Sequence, residues 1–263
     1  MHYWIWLTNL PYIGSVTSKK LIEIFEIPEN LYNTSEAELK KIKGLTLRQR
    51  NSILTNRELE TAKRITERCE KCQISLISIN DSQYPEKAKQ CIDAPVLLYY
   101  QGRIERKKQS IGIVGARRCT QEVKNFVAEL TESYAKKEVA IVSGMAKGVD
   151  SYAHTACLKA EGYTIAVLAN GLDICYPSEH KKLKECIEKE GLVISEYPPG
   201  THPTRYAFPK RNRLISAWSD ELAVIVAGKG SGALITANCS KKYGRKVDFY
   251  SGIGDHSRYN FPV

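Results

Sequence analysis

Three cations fall within six residues at Phe208-Pro209-Lys210-Arg211-Asn212-Arg213, with Thr201 to Arg205 just ahead of it. Guanidinium groups make forked hydrogen bonds to phosphate oxygens, and the Asn212 amide adds a donor. Tyr206 and Phe208 are interleaved with these cations, and a base can stack on such rings. The combination suits a sugar-phosphate strand. The competing arrangement is internal, with Arg211 and Arg213 paired to carboxylates such as Glu196 and Phe208 in the core. For any single position both readings stay open. For the cluster a ligand is favoured, because surface ion pairs rarely need so many cations together.

A second candidate runs from Ile141 to Ala156, IVSGMAKGVDSYAHTA. Val139 to Val142 is the short β-branched run of a buried strand. Gly144, Ala146 and Gly148 make a small-residue turn, and Asp150 is placed to cap a following helix. Such a turn leaves backbone N–H groups pointing outward beside the positive end of the helix dipole, a seat for an anion. Lys147 would add a full charge there.

Catalytic sets are less convincing. Asp150 and His154 stand four apart, but capping and packing explain them equally well. Glu179 and His180 lie at an expected helix start that Ser178 would cap. GxSxG and HExxH are absent. Ile113 to Arg118 lacks GxGxxG spacing, and Gly228-Lys229-Gly230-Ser231-Gly232 is not a P-loop. Eight cysteines fall at irregular spacings. Cys69 and Cys72 form a lone CxxC, whereas a structural zinc site usually takes four ligands. The expectation is reduced thiols, no metal and no cofactor; an acid–base pair assembled in space stays open, and the absence of enzymatic activity is expected only from the family resemblance below.

At 263 residues the chain suffices for one large core, or one domain plus a small accessory one. Hydrophobic residues at 43% and charged residues at 26% place it among ordinary soluble proteins rather than disordered ones. No run approaches the ~20 apolar residues of a membrane span. The first ten residues, MHYWIWLTNL, are too short and lack the basic region of a signal peptide. A cytoplasmic protein without membrane insertion is therefore expected. The net charge of +10 favours polyanionic partners, nucleic acid first.

The elements that must position these residues fall into two groups. A small helical domain is predicted over 1–73 and a larger one over 74–263. Residues 15–25 show helical apolar spacing behind the turn Pro11-Tyr12-Ile13-Gly14. Ser35-x-x-Glu38 is a capping box, and Gly44 separates that helix from a further basic one. LPYIGSVTSKKLIEIF resembles a helix-hairpin-helix unit in which Ser15 replaces the second hairpin glycine, a pattern compatible with packing or protein contact as well as with DNA. Residues 57–71 read as a charged connecting helix, and ISLISINDSQYP and APVLLYYQG as strand-bearing segments. From residue 110 strands are predicted at 110–114, 139–142, 163–168, 192–195, 221–226 and 246–250. Helices are predicted at 121–136, 151–161, 179–190 and 232–243. This alternation argues for an α/β fold, a doubly wound, Rossmann-like, mostly parallel sheet. The glycine-rich and charged segments follow strands, and in such sheets they converge on one rim.

Six ordered motifs, IGIVGARR, SGMAKGVDSYAH, AVLANGLDICYPSEH, GLVISEYPPG, FPKRNRLIS and SGALITA, together resemble the DNA-processing protein A (DprA, or Smf) family over about 74–245. The resemblance implies a cytosolic Rossmann-like protein that binds single-stranded DNA without sequence preference and without cutting it. It implies protection of incoming strands in natural transformation (competence), help in loading RecA recombinase, and homodimerisation. By motif position Arg117, Lys210, Arg211 and Arg213 would be backbone contacts. Ser143, Gly144, Gly148, Ser231 and Gly232 would shape the pocket or donate amides, with Gly171 present in its turn. The chain departs from the pattern at Ala169, at Ala217-Trp218, at Ala227-Gly228 and in its final residues, where no Pro-Gly turn or winged-helix domain follows. An alternative function is a Rossmann-like nucleotide hydrolase of phosphoribohydrolase type, with Glu196 or Asp150 as acid or base.

Overall fold

Six short helices open the chain, each too short to be stable alone, so they hold together by burying one face each. They are α1 (His2–Asn9), α2 (Ser15–Phe25), α3 (Pro28–Asn33), α4 (Glu36–Lys41), α5 (Leu47–Thr55) and α6 (Glu60–Lys71) in a computed structural model that describes residues 1–228 and 230–251. The capping box at Ser35 and Glu38 forms, and Thr46 and Gln49 make a second one on α5. The apolar N-terminus is a helix that sequence reading left unassigned. Its Ile5, Trp6 and Leu7 are buried, each contributing about 1.5–3 kcal/mol by leaving water.

The remainder is one mixed sheet with helices on both faces. In chain order come β1 (Ser75–Ser78), α7 (Glu86–Lys89), β2 (Leu97–Gly102), β3 (Ser110–Gly115), α8 (Gln121–Ala135), β4 (Ala140–Ser143), α9 (Val149–Lys159) and β5 (Thr164–Leu168). Then follow α10 (Lys181–Glu190), β6 (Leu192–Ser195), α11 (Ala207–Ala217), β7 (Glu221–Ile225), α12 (Gly232–Lys242) and β8 (Lys246–Tyr250). The strand order is β1-β2-β6-β5-β4-β3-β7-β8. β1 and β2 run antiparallel to their neighbours, and the other pairs are parallel. The Rossmann-like α/β expectation is met.

Alternate residues along each strand serve opposite faces, as the pleat requires. Val142, Ile165, Val167, Leu222 and Val224 join one core with Leu7, Leu21, Leu31 and Leu39 of the N-terminal helices and Leu214 of α11. Ala166, Leu168 and Val193 face the other way, onto Ile187 of α10 and onto Ala62 and Cys69 of α6. Ile111, Ile113 and Ile141 pack under α8 and α9. β4, β5 and β6 are buried along their whole length, which accounts for their unbroken apolar sequence.

Two capping expectations are corrected. Gly148, with φ of +83°, is the N-cap of α9, and Asp150 lies inside the first turn. Ser178 begins a single 3₁₀ turn before α10 and makes no capping bond. A third difference is α11. Residues 207–217 are not among the predicted helices, yet they form one, with Pro209 in the first turn, where its missing N–H would have had no helical partner anyway. The eight cysteines are all free, and burial pushes the Cys69 thiol up to about 12. Lys229 and the final segment 252–263, where the departure from the family's last turn falls, lie outside the described residues.

Candidate nucleic-acid interface

The chain leaves β3 toward β4, β5 and β6 on one side, then returns to lay β7 and β8 on the other. That reversal opens a crevice beyond the carboxyl ends of β3 and β7, the usual ligand position in such sheets. Here it is a cleft of about 700 Å³. Its walls are the β3 end with Arg117, the β4–α9 turn, α11, and the start of α12 at Ser231 and Gly232.

The β4–α9 turn is built by close approach. A Cβ on Gly148 would lie 2.2 Å from the carbonyl oxygen of Ala116, so a side chain there would push the two loops apart. A Cβ on Gly144 would lie 2.3 Å from Nη1 of Arg211. Arg211 therefore threads across the turn, where Nη1 donates to the carbonyls of Gly144 and Val167 and Nε donates to Asn212 Oδ1 at 3.1 Å. It is 5% exposed and forms the cleft floor. Asp150 accepts from the amides of Gly144 (3.1 Å) and Ala146 (3.4 Å). Burial lowers the Arg211 pKa and raises that of Asp150, and each charge is the other's main counterweight. The anion seat foreseen in this turn is thus partly filled by the chain's own carboxylate.

Several expected ligand groups have internal partners. Ser143 is fully buried and donates to Ile113 O at 2.6 Å, pinning β4 to β3. Asn212 donates to Gly232 O at 2.9 Å and latches α11 to α12. The Gly171 amide donates to Thr201 O at 2.9 Å, and a Cβ there would meet Pro198 O at 2.6 Å, so this glycine packs two loops together. Arg213, 8% exposed, turns away from the cleft. Its Nη2 donates to both Glu196 oxygens (2.7 and 2.6 Å) and to Ser15 Oγ (3.2 Å), and its Nη1 donates to Asp93 O (2.6 Å). Burial opposes that charge, but Glu196 and Asp93 outweigh it and raise the pKa. For Arg213 the internal ion pair with Glu196 is the arrangement found.

Of the exposed cations, Arg117 and Arg205 line the cleft. Arg117 and Arg118 end β3, and Lys147 lies across the turn from them, 2.8 Å from Glu179 with both side chains half exposed. Arg205 and Lys210 are exposed on and before α11, with Lys210 on its far side from the cleft. Ser231 caps α12 in extended conformation, and its Oγ is buried without a partner beside the cleft. Tyr206 is 72% exposed, and the Arg205 guanidinium lies 5.2 Å from its ring centre. Phe208 packs with tilted rings, 5.7 Å between centres, against Tyr176, a wall residue that sequence reading missed because a lone tyrosine before a proline carries no signal.

His154 is a packed core residue. Its Nδ1 lies 2.7 Å from Thr164 Oγ1, which itself donates to Ile141 O, so the network assigns the proton to Nδ1. Burial holds its pKa down, to about 3, with the charges of Arg211 and His180 acting in the same direction. Among the described residues no cluster of three or more His, Cys, Asp or Glu side chains could hold a metal. No described helix is long and apolar enough to cross a membrane.

Fold and site together define an extended Rossmann-like protein with a cation-rimmed cleft at its topological switch point. The chain belongs to the DNA recombination-mediator protein A family, which matches residues 75–259. It is 34% identical to Protein Smf of Synechocystis over 93% of this chain and 63% of the relative. It is 40% identical to the DNA processing protein DprA of Streptococcus pneumoniae over 65% of this chain and 60% of the relative. The chain thus spans about six-tenths of the length of these curated relatives. The X-ray structure of the pneumococcal DNA processing protein A superposes with a TM-score of 0.81 at 30% identity, covering 96% of this chain and 87% of that one. DNA processing protein A from Helicobacter pylori, solved for its single-stranded DNA binding mode, superposes at 0.61 with 32% identity over 67% and 80% of the two chains.

Proposed function

We propose that the protein binds single-stranded DNA through this cleft without reading its sequence. The observation that carries the reading is the convergence of Arg117 and Arg205 with the open start of α12 around one crevice. Cations and helix-start amides attract phosphate, whereas the exposed Tyr206 ring accepts any base. The single-strand binding mode of the Helicobacter relative supports the same assignment. In this reading the protein shields incoming strands in natural transformation, helps load a RecA recombinase, works as a homodimer in the cytoplasm, and performs no catalysis. The hydrolase alternative loses support because both candidate acid–base groups are engaged, Asp150 by two amides and Glu196 by Arg213.

Titrating labelled oligo-dT at several salt concentrations, with a duplex control, tests the reading. Neutralising about five phosphates gives log K against log salt a slope near −3.5. Tight binding indifferent to salt, or preference for the duplex, would count against it.

A further inference from the structure

The segment 196–206 between β6 and α11 carries Arg205 and Tyr206 to the cleft mouth, and it has no secondary structure of its own beyond turns. It is held at two points. At its start Glu196 receives Nη2 of Arg213, and the same guanidinium reaches Ser15 at the head of α2 and the carbonyl of Asp93. In its middle the amide of Gly200 donates to both oxygens of Asp173 at 2.8 and 3.0 Å. Asp173 also takes a fork from Arg68 of α6, Nη2 at 2.6 Å and Nε at 2.9 Å. A Cβ on Gly200 would sit 2.7 Å from Arg68 Nη1, so the guanidinium lies directly against this turn, where φ is +87°.

Both contacts reach the N-terminal helices. We infer that Arg68 and Arg213 are positioning residues, which act through Asp173 and Glu196 to brace the 196–206 segment on α6 and α2 and so fix where Arg205 and Tyr206 stand at the cleft. The inference rests on the single-strand reading. It gives the N-terminal helices a part in strand binding without a DNA contact of their own. Forks suit the task, since a guanidinium holds two partners in fixed geometry and an ammonium does not.

The decisive experiment has a sign. Asp173 and Glu196 are acids near a polyanion site, so by charge alone Asp173→Ala and Glu196→Gln should tighten oligo-dT binding. Bracing requires the opposite. Fluorescence anisotropy with labelled oligo-dT should show affinity falling about fivefold, the low end of ordinary coupling between sites, with an unchanged salt slope. Arg68→Ala should match Asp173→Ala, and Arg68→Lys should fail to restore binding, whereas a simple phosphate contact would be largely restored by lysine. The Arg68 side chain is half exposed, so its variants remain readable even if those at the buried Asp173 and Glu196 carboxylates fail to fold. Tighter or unchanged binding in Asp173→Ala overturns the inference, as does a slope less negative by about 0.7 in Arg68→Ala, the mark of one lost phosphate contact. If the wild-type protein shows no salt-dependent binding at all, the single-strand reading itself fails. Wild-type binding with a tighter Asp173→Ala removes only the brace.

Discussion

Lys210 and Arg211 are neighbours on one helix, yet they live in different physical worlds. Lys210 stands in water, while Arg211 runs under the β4–α9 turn with its donors given to main-chain oxygens and Asn212. Arg117 and Arg205 belong with Lys210, whereas Arg213 belongs with Arg211. A basic motif is therefore two devices. The rim cations are available to a phosphate, and the buried ones hold the turn, α11 and the head of α2 in register. Their substitution should be felt in different experiments.

The largest effect is expected at Arg211. Arg211→Ala leaves Asp150 buried without its counter-charge and strips two carbonyls of their donor. Breaking a buried pair from one side typically costs about 3–5 kcal/mol. Urea unfolding should show a loss of that order. A loss within about 0.5 kcal/mol, the range of ordinary surface substitutions, would return Arg211 to the rim class.

Stability also depends on pH through the buried His154. Its folded pKa of about 3 lies below the unfolded value near 6.5. Between those limits the unfolded chain binds a proton that the folded chain refuses, so stability rises with pH and is lost on acidification. From pH 6.5 to 5 this group alone should remove about 1.6 kcal/mol. Thermal unfolding of the wild type and His154→Gln checks it, since the variant should lack that part of the acid loss. Equal pH profiles would mean that the surroundings of His154 are wetter than its burial indicates.

How much of this was legible beforehand follows from where each signal is stored. The strands from Ser110 onward announce themselves, because a buried parallel strand must be apolar along its whole length and the turns that follow must be small. The crevice was legible in part: the turns after β3, β4 and β7 line it, whereas residues 170–173 and 196–200, after β5 and β6, do not. α11 was not, since cations interrupt its apolar spacing and Pro209 imitates a breaker. Nor could sequence sort the arginines. Arg213 meets Ser15 across 198 positions and Glu196 across 17, partners that only the folded sheet brings together. Asp150 misled for a local reason. A carboxylate after a glycine turn caps a helix in one geometry and folds back on the turn's own amides in another, and both have the same sequence.

On the rim, stacking and charge should separate cleanly. Tyr206→Ala removes an exposed ring that touches the exposed Arg205, so it should leave unfolding unchanged and weaken oligo-dT binding by about 1 kcal/mol, the lower end for one stacked base. Because no phosphate contact is lost, the salt slope should stay as in the wild type. A changed slope would mean that the ring serves mainly to seat Arg205, whose guanidinium lies beside it.

Arg117→Ala is the smallest and most diagnostic change. The side chain is exposed at the end of β3, so stability should move by less than about 0.5 kcal/mol. Loss of one phosphate contact should make the log–log salt slope less negative by about 0.7, for every sequence alike. The affinity difference from wild type should therefore shrink as salt rises, because the missing contact is one that salt already weakens. Arg213→Ala offers the contrast from the buried side, a destabilised protein whose remaining binding keeps the wild-type slope. If Arg213→Ala shifted the slope while Arg117→Ala did not, the division between rim and buried cations would be reversed, and the strand would have to run on the other side of α11, past Lys210 and the head of α2.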